Sequence, residues 1–440
     1  MIREGGGSAS YARLAFNKAS GFVSGWALML SYIATMAISA YTIPPYLAYF
    51  WPILKEPAAS TLFSMGVIFF LMVINVLGIK ESSGLNMLFI VIDILTQITL
   101  ITLGVWLILL PNPSILAEHM FGNGNWPSMK NLVLGIAMAA LCFTGVESIS
   151  QHGEETRNPE KKIPQAHVLM TVTVLLIFGG ISIIAMTAMP PQVLGDPING
   201  WARDPIAGIA NSISTVVTPD EIAARITSEP ALHIIVSWLF TWVRELLPVL
   251  VAILAATILL VATNAGLLGI SRLAFNLSSN QQLPSTFGRI HGYFRTPYVG
   301  IIVFCLVTVL MLVPGFFNAQ FFGDLGALYV FGSLLCFSLA HVAVIGLRIR
   351  KPDLPRPFKL RGNIRIKGRE IPITAVLGLV TTSIIWVVIN VTQPTSRWTG
   401  FAWMGVGLIV YYFYRLYRRK KMIKNEDSEN QIKGLNGNTS

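Results

Sequence analysis

Long apolar runs with almost no charged residues constrain this chain more than any other feature of its sequence. Ten of these runs are long enough to cross the hydrocarbon core of a bilayer, which takes about 20 mostly apolar residues. Only 12% of the 440 residues are charged, about half the share found in soluble domains. The sequence therefore predicts an all-α, polytopic membrane protein, and it excludes disordered, disulfide-scaffold and coiled-coil classes.

The predicted spans divide the chain into three parts. A cytoplasmic N-terminal segment occupies 1–20, a transmembrane domain 21–420 and a cytoplasmic polar tail 421–440. The segment 232–242 is apolar but short, which favours an interfacial or re-entrant helix over another span. The ten spans are predicted at 21–43, 60–77, 85–110, 131–148, 167–188, 246–270, 298–313, 321–347, 373–391 and 400–417.

Positive charge is distributed unevenly between the two sides of this predicted bundle. If the N-terminus is cytoplasmic, all but six of the 32 Lys and Arg residues fall on the cytoplasmic side. Such an excess is typical of cytoplasmic loops, so we expect a plasma-membrane protein with both termini in the cytoplasm. The net charge of +11 then requires no nucleic acid partner, and the basic cluster at 415–424 is expected to lie near anionic lipid headgroups.

The end of the fourth predicted span carries a carboxylate in a segment that forms helix poorly. Charged groups at bilayer depth cost at least about 2.5 kcal/mol, so each one is a candidate for function. An interrupted helix here would direct free backbone groups at a zwitterion or an ion. Alternatively, the carboxylate lies at the cytoplasmic interface. The segment consists of Phe143, Thr144, Gly145, Val146 and Glu147.

A second carboxylate, Asp93, lies inside the third span. Gln97 follows one turn later, which places both side chains on one helix face and would suit a proton relay or an ion pair. The alternative is a structural aspartate that Lys80 neutralises or that packs against another helix. Asp324, which opens the eighth span, is expected to be a helix N-terminal residue.

Two rows of polar residues interrupt the apolar background. Rows of this kind line a water-filled pathway or form packing seams, and packing is the commoner use. No metal-binding, nucleotide-binding or nucleophile motif is recognisable, so we expect neither a cofactor, nor a metal, nor enzymatic activity. The rows are Thr257, Asn264 and Ser271 in the sixth span, and Ser31, Thr35 and Ser39 in the first.

Several motifs spread along the chain carry a family resemblance. The segment 143–147, with EETRNP at 154–159 and IPQA at 163–166, resembles the sixth helix and following loop of amino acid permeases in the amino acid, polyamine and organocation (APC) transporter superfamily. SRL at 271–273 resembles the end of the eighth helix, and RKPDLPRPF at 350–358 the basic loop after the tenth. GGGS at 5–8 resembles the segment between the second and third helices. The resemblance covers nearly the whole chain.

The resemblance implies a LeuT-like fold of inverted repeats, in which discontinuous helices enclose the substrate near the bilayer midplane. Compared with the twelve-helix family, the ten spans predict that the first two helices have no counterpart here. One of these helices holds the glycine-rich segment that cradles the substrate's carboxylate and amino group. Two explanations stay open: a truncated or mis-started reading frame, or a ten-helix variant completed by another chain.

The resemblance also implies roles for individual residues. Phe143 corresponds to the aromatic residue that closes over the substrate, and Thr144 and Gly145 to the unwound backbone. Asp93 falls where many relatives have a lysine that replaces a sodium ion. The predicted substrate-binding set is Phe143, Thr144, Gly145, Val146, Glu147 and Asn264, and the predicted proton- or ion-coupling set is Asp93, Gln97 and Glu147.

The expected function is secondary active transport of amino acids or related amines by alternating access. The implied partners are the small-molecule substrate, a proton as coupling ion in symport, and the lipid bilayer. The competing expectation is a transport-inactive truncated permease, or a channel or sensor-type subunit that needs another chain. A lipid-modifying enzyme is disfavoured because no metal or nucleophile constellation is recognisable.

Overall fold

The computed structural model describes residues 6–78, 83–122, 125–151, 153, 156–196, 200–216, 219–227, 229–318, 321–356, 358–359, 362–366 and 369–437. Gly5, Lys80, Glu154 and Glu155, which enter the sequence predictions, lie outside those residues. Within them the chain is helical apart from one antiparallel hairpin, in which Ile364 pairs with Ile371.

The helices of the described residues are α1 (Ser8–Ala15), α2 (Lys18–Leu47), α3 (Pro57–Leu77), α4 (Ser83–Gly104), α5 (Ser114–Phe121), α6 (Met129–Met138), α7 (Val146–Gln151), α8 (Pro159–Ala188), α9 (Pro191–Leu194), α10 (Pro205–Val216), α11 (Pro219–Ile226), α12 (Pro230–Ser279), α13 (Tyr298–Leu312), α14 (Phe321–Arg350), α15 (Ile373–Thr392) and α16 (Pro394–Gly437). The hairpin strands are β1 (Asn363–Ile366) and β2 (Arg369–Pro372).

The predicted membrane class is confirmed. In the described part of the chain, 9 helical stretches are long and apolar enough to cross a membrane, judged by length and composition. They correspond to the first nine predicted spans. The tenth prediction, 400–417, lies within α16, which is not among those nine.

The prediction of a separate interfacial or re-entrant helix at 232–242 is wrong. Helix α12 continues without a break through this segment and is 50 residues long. Arg244 and Glu245 end the apolar pattern, but neither removes a backbone hydrogen bond, so the helix continues past them. Pro248 lacks an N–H donor and is nevertheless accommodated inside the helix.

Helix α2 is the most enclosed of the nine apolar helical stretches. Of its most apolar 18 residues, 89% are buried inside the protein. It packs mainly against α12 and α14. At Gly332 of α14 a Cβ would lie only 2.7 Å from the Ala27 carbonyl oxygen, so glycine permits the two backbones to approach. The polar row Ser31, Thr35 and Ser39 is buried in α2, as either a packing seam or an enclosed pathway requires.

Candidate functional site

The fourth predicted span is interrupted in the structure. Helix α6 tightens into a 3-10 turn at Ala139–Phe143, and α7 begins again at Val146. Gly145 between them has a φ of 93°, a conformation that favours glycine. A Cβ at Gly145 would meet nothing within 4 Å. The predicted interruption is therefore confirmed, and Gly145 faces open space.

Glu147 lies in the first turn of α7 and inside the bundle. The residue is only 6% exposed, and its carboxylate meets the backbone N–H groups of Gly145 and Glu147 but no side-chain hydrogen-bond donor among the described residues. Protein atoms therefore cover the carboxylate, and its depth in the bilayer stays a prediction. A buried charge without a side-chain partner is costly, so Glu147 is suited to bind a proton or a cationic group.

Two tyrosines from other helices lie close to Glu147. Tyr32 of α2 and Tyr329 of α14 both interact electrostatically with its carboxylate. The Gln151 amide donates to the Tyr32 hydroxyl at 2.8 Å, and the Ser148 hydroxyl lies 3.3 Å from the same oxygen. Tyr32 therefore joins α7 to α2. The buried Tyr329 hydroxyl lies among the side chains of Thr144, Ser333 and Ser31.

The sequence analysis did not identify either tyrosine. An aromatic residue in an apolar span is usually part of the core or of the interface, and the local pattern around Tyr32 and Tyr329 follows that rule. Their hydroxyl groups are the only signal in the sequence. The approach of the Tyr32 and Tyr329 hydroxyls to the Glu147 carboxylate depends on packing between helices that are far apart along the chain.

The short helix α1 supports α7. A Cβ at Gly7 would lie 3.3 Å from atoms of both Ser150 and Gln151, so the start of α1 lies directly against α7. The Ser8 hydroxyl lies 2.8 Å from the Cys336 sulfur of α14. Burial raises the pKa of Tyr11, whose hydroxyl also contacts Ser150. The glycine- and serine-containing N-terminal motif thus holds α7 from one end.

Asp93 lies in a different environment. It lines a cavity of about 390 Å³ between α2, α4, α8 and α12, together with Thr42 and Tyr46 of α2. The Gln97 amide donates to the Asp93 carboxylate at 2.6 Å, so the two side chains share a helix face as their spacing predicts. Glu147 is not among the described residues that line this cavity. The two candidate coupling carboxylates therefore occupy separate places.

Asn264 of α12 is held against α3. Its side-chain oxygen accepts a hydrogen bond from the Asn75 amide at 2.7 Å, and the residue is only 4% exposed. The structure thus joins Asn264 to α3, while its part in substrate binding stays a prediction. Asp324 lies in the first turn of α14 and accepts a bond from the Asn318 amide at 3.1 Å, which confirms its predicted position.

A charged cluster in the connection between α8 and α12 was not identified from sequence. Arg203 donates to the Ser60 hydroxyl at 2.7 Å, and its guanidinium lies 4.7 Å from the centre of the Tyr41 ring. Burial raises the pKa of Asp204 to about 6, although Lys55 and Arg203 act in the opposite direction. The cluster attaches this connection to α2 and α3.

Comparison with known proteins adds an independent line of evidence. A family model described as amino acid permease matches residues 1–413. The chain is 24% identical over 443 residues to the methylthioribose transporter of Bacillus subtilis, a match covering 95% of this chain and 80% of the relative.

The names of two further relatives include the words amino acid. The branched-chain amino acid permease BcaP of Bacillus subtilis is 25% identical over 419 residues, covering 89% of this chain and 76% of the relative. The mouse Asc-type amino acid transporter 1 is 25% identical over 367 residues, covering 82% of this chain and 61% of the relative.

Proposed function

This chain belongs to the amino acid permease family, and we propose that it carries amino acids or related amines across the plasma membrane by secondary active transport. The family and the relatives are transporters rather than enzymes. The names of two relatives support amino acids as the substrate class. The methylthioribose transporter indicates that related chains also take other small polar molecules.

The interrupted helix at Thr144 and Gly145 is the observation that carries this proposal. The interruption leaves backbone groups without helical partners, and the N–H groups of Gly145 and Glu147 meet the Glu147 carboxylate. Glu147, buried and without a side-chain hydrogen-bond donor in the described residues, supplies the negative charge for an amino group on the substrate. Phe143, at the end of the 3-10 turn, lies beside the gap and is assigned to close over the substrate.

Proton coupling is assigned to Asp93 and Glu147. Protonation removes the charge of a carboxylate in an apolar setting and thereby favours its burial. Asp93, with Gln97 on the same face, lines a cavity against α12, whereas Glu147 follows the interruption itself. Movement of α6 and α7 against the packed pair of α2 and α12 would then expose the site to each side in turn.

Counterflow in liposomes tests the proposal directly. The purified chain is reconstituted with unlabelled substrate inside, and labelled branched-chain, small neutral and cationic amino acids and methylthioribose are added outside in separate assays. A carrier concentrates label transiently and shows trans-stimulation. An imposed inward proton gradient should increase net uptake, and a protonophore should abolish that increase.

The contradicting outcomes are equally specific. Equilibration of label without trans-stimulation would indicate a channel. Rates equal to those of protein-free liposomes for every substrate would contradict transport by this chain. Counterflow that does not respond to the proton gradient would support the carrier but remove proton coupling.

A further inference from the structure

A cleft of about 910 Å³ opens where the start of α2, the residues after α12 and the outer part of α16 meet. On α16 it lies at the end of the apolar stretch, where the basic residues begin. Its lining combines several basic side chains with several tyrosines. The basic lining residues are Lys18, Arg415, Arg418 and Arg419, and the aromatic ones are Tyr411, Tyr412 and Tyr414.

Charge in this cleft is of one sign. In the part of the chain that the structure describes, the lining includes neither Asp nor Glu. Glu370 of β2 forms ion pairs with Arg348, Lys359 and Arg365, and none of these four residues lines the cleft. Lys18, Arg415 and Arg419 thus converge on a cavity to which the described residues contribute no anion, and the cleft is electrostatically suited to an external one.

The walls of the cleft are held in place by hydrogen bonds. Arg418 donates to the Gln281 side-chain oxygen at 2.6 Å, and the neighbouring Gln282 amide donates to the Lys18 carbonyl oxygen at 2.6 Å. Gln281 adopts a left-handed backbone conformation with a φ of 61°. The side chain of Gln281 bonds to α16 and that of Gln282 to α2. This turn after α12 therefore ties both α2 and α16.

The aromatic residues fix the depth of the cleft relative to the bilayer. The Tyr411 ring stacks on Phe22 of α2 at 4.8 Å between centroids, while Tyr412 is 60% exposed. Tyrosines collect at the level of lipid headgroups, and the arginines lie just beyond them along α16. Depth and charge together match a lipid phosphate.

We propose that this cleft is a specific binding site for the phosphate of an anionic phospholipid headgroup. Arginine presents a planar fork that matches phosphate oxygens, and tyrosine hydroxyls donate to the same group. The positive-inside distribution places the site in the cytoplasmic leaflet. A general attraction of basic residues to an anionic surface requires no cavity, whereas this site predicts selective, saturable binding.

Native mass spectrometry of the detergent-purified chain tests the proposal. The probes are dioctanoyl phosphatidylglycerol, dioctanoyl phosphatidylcholine and sn-glycerol 3-phosphate. We expect saturable binding of phosphatidylglycerol, with phosphatidylcholine at least about tenfold weaker, the equivalent of 1.4 kcal/mol. Glycerol 3-phosphate carries the same phosphate chemistry from a soluble source and is expected to compete weakly because it has no acyl chains.

The matched variants are R415Q/R419Q in the cleft and K161Q/K162Q on α8. Both remove two positive charges, and Lys161 and Lys162 are exposed residues that do not line the cleft. Each basic residue near an anionic lipid contributes about 1 kcal/mol, so R415Q/R419Q should weaken phosphatidylglycerol binding roughly 30-fold. K161Q/K162Q should change it less than about twofold.

Equal losses in the two double variants would overturn the proposal, and so would equal binding of the two lipids. Competition by glycerol 3-phosphate at the affinity of phosphatidylglycerol would overturn a lipid source. If R415Q/R419Q does not fold, K18Q tests the same cleft from α2 and should also weaken binding. The readout is lipid binding, so its result is independent of any transport assay.

Discussion

The indole N–H groups of Trp26 and Trp403 each donate to the other residue's backbone carbonyl oxygen, at 2.7 and 2.9 Å. The two rings stack with centroids 4.8 Å apart and planes 17° from parallel. A Cβ at Gly407 would overlap the Trp26 ring, so this residue must be small for the pair to form. The reciprocal bonds join central helix α2 to the last helix, α16.

We expect Trp403→Phe to lower the apparent melting temperature of the protein in detergent. The phenyl ring keeps the stacking but cannot donate, which removes one hydrogen bond worth about 1 kcal/mol. Trp51→Phe is the matched control, because Trp51 is 59% exposed. Equal melting of the two variants would contradict a stabilising role for the reciprocal bonds.

Gly145→Ala should abolish transport while leaving most of the fold intact. A residue with a Cβ resists a φ of 93° by roughly 1–2 kcal/mol, so the interruption would be displaced or straightened. Gly135→Ala, in the regular part of α6 and also with no atom within 4 Å of the added Cβ, is the control and should keep full uptake. Uptake by Gly145→Ala at the wild-type rate would remove the strained glycine from the mechanism.

Glu147→Gln is expected to reduce uptake at least about tenfold without destabilising the protein. The amide has nearly the same shape, and loss of a buried charge without a side-chain partner should leave the melting temperature unchanged or higher. Uptake and melting are measured on the same preparation, with exposed Glu118→Gln as the control. A variant that melts earlier and transports normally would show that Glu147 is structural.

Asp93→Asn tests the second carboxylate. We expect uptake to lose its pH dependence, since the amide cannot bind and release a proton. Thr96→Val changes another residue that lines the same cavity without changing charge, and it should retain the pH dependence. Initial uptake rates are compared from pH 5 to 8, and an unchanged profile in Asp93→Asn would remove Asp93 from proton coupling.

Asp204 gives a prediction for stability against pH. Burial raises its pKa from 3.8 to about 6 in the folded protein, so the folded state binds more protons than the unfolded state between those values. Stability therefore falls as pH rises through this window and stays lower above it. A shift of this size corresponds to at most about 3 kcal/mol.

Asp204→Asn should remove that fall and make the protein more stable than the wild type above pH 6, with little difference near pH 4. Apparent melting temperatures measured from pH 4 to 7.5 report both effects. Exposed Asp220→Asn is the control and should follow the wild-type profile. Parallel profiles for Asp204→Asn and the wild type would show that the burial of this carboxyl does not govern stability.

Local chemistry accounts for what the sequence predicted correctly. Apolar length defines nine spans, and Gly145 beside β-branched residues marks the interruption of the fourth. The continuation of α12 through Arg244 and Glu245 was missed because charge ends an apolar pattern without ending a helix.

Contacts between distant helices account for the rest. The approach of Tyr32 and Tyr329 to Glu147 depends on how α2, α7 and α14 pack. No periodicity within a single helix reports that register. The same holds for Asp204, whose neighbour Lys55 comes from the connection between α2 and α3, far from it in sequence.

The length of α12 gives it a mechanical property. At 1.5 Å per residue its 50 residues span about 75 Å, against about 30 Å of hydrocarbon, so a large part of the rod projects beyond the lipid. Small rotations of the embedded part are amplified at the far end, where a 10° tilt displaces a point roughly 45 Å away by about 8 Å. A spectroscopic label placed near Pro230 would therefore report tilting of α12 during conformational cycling from outside the bilayer.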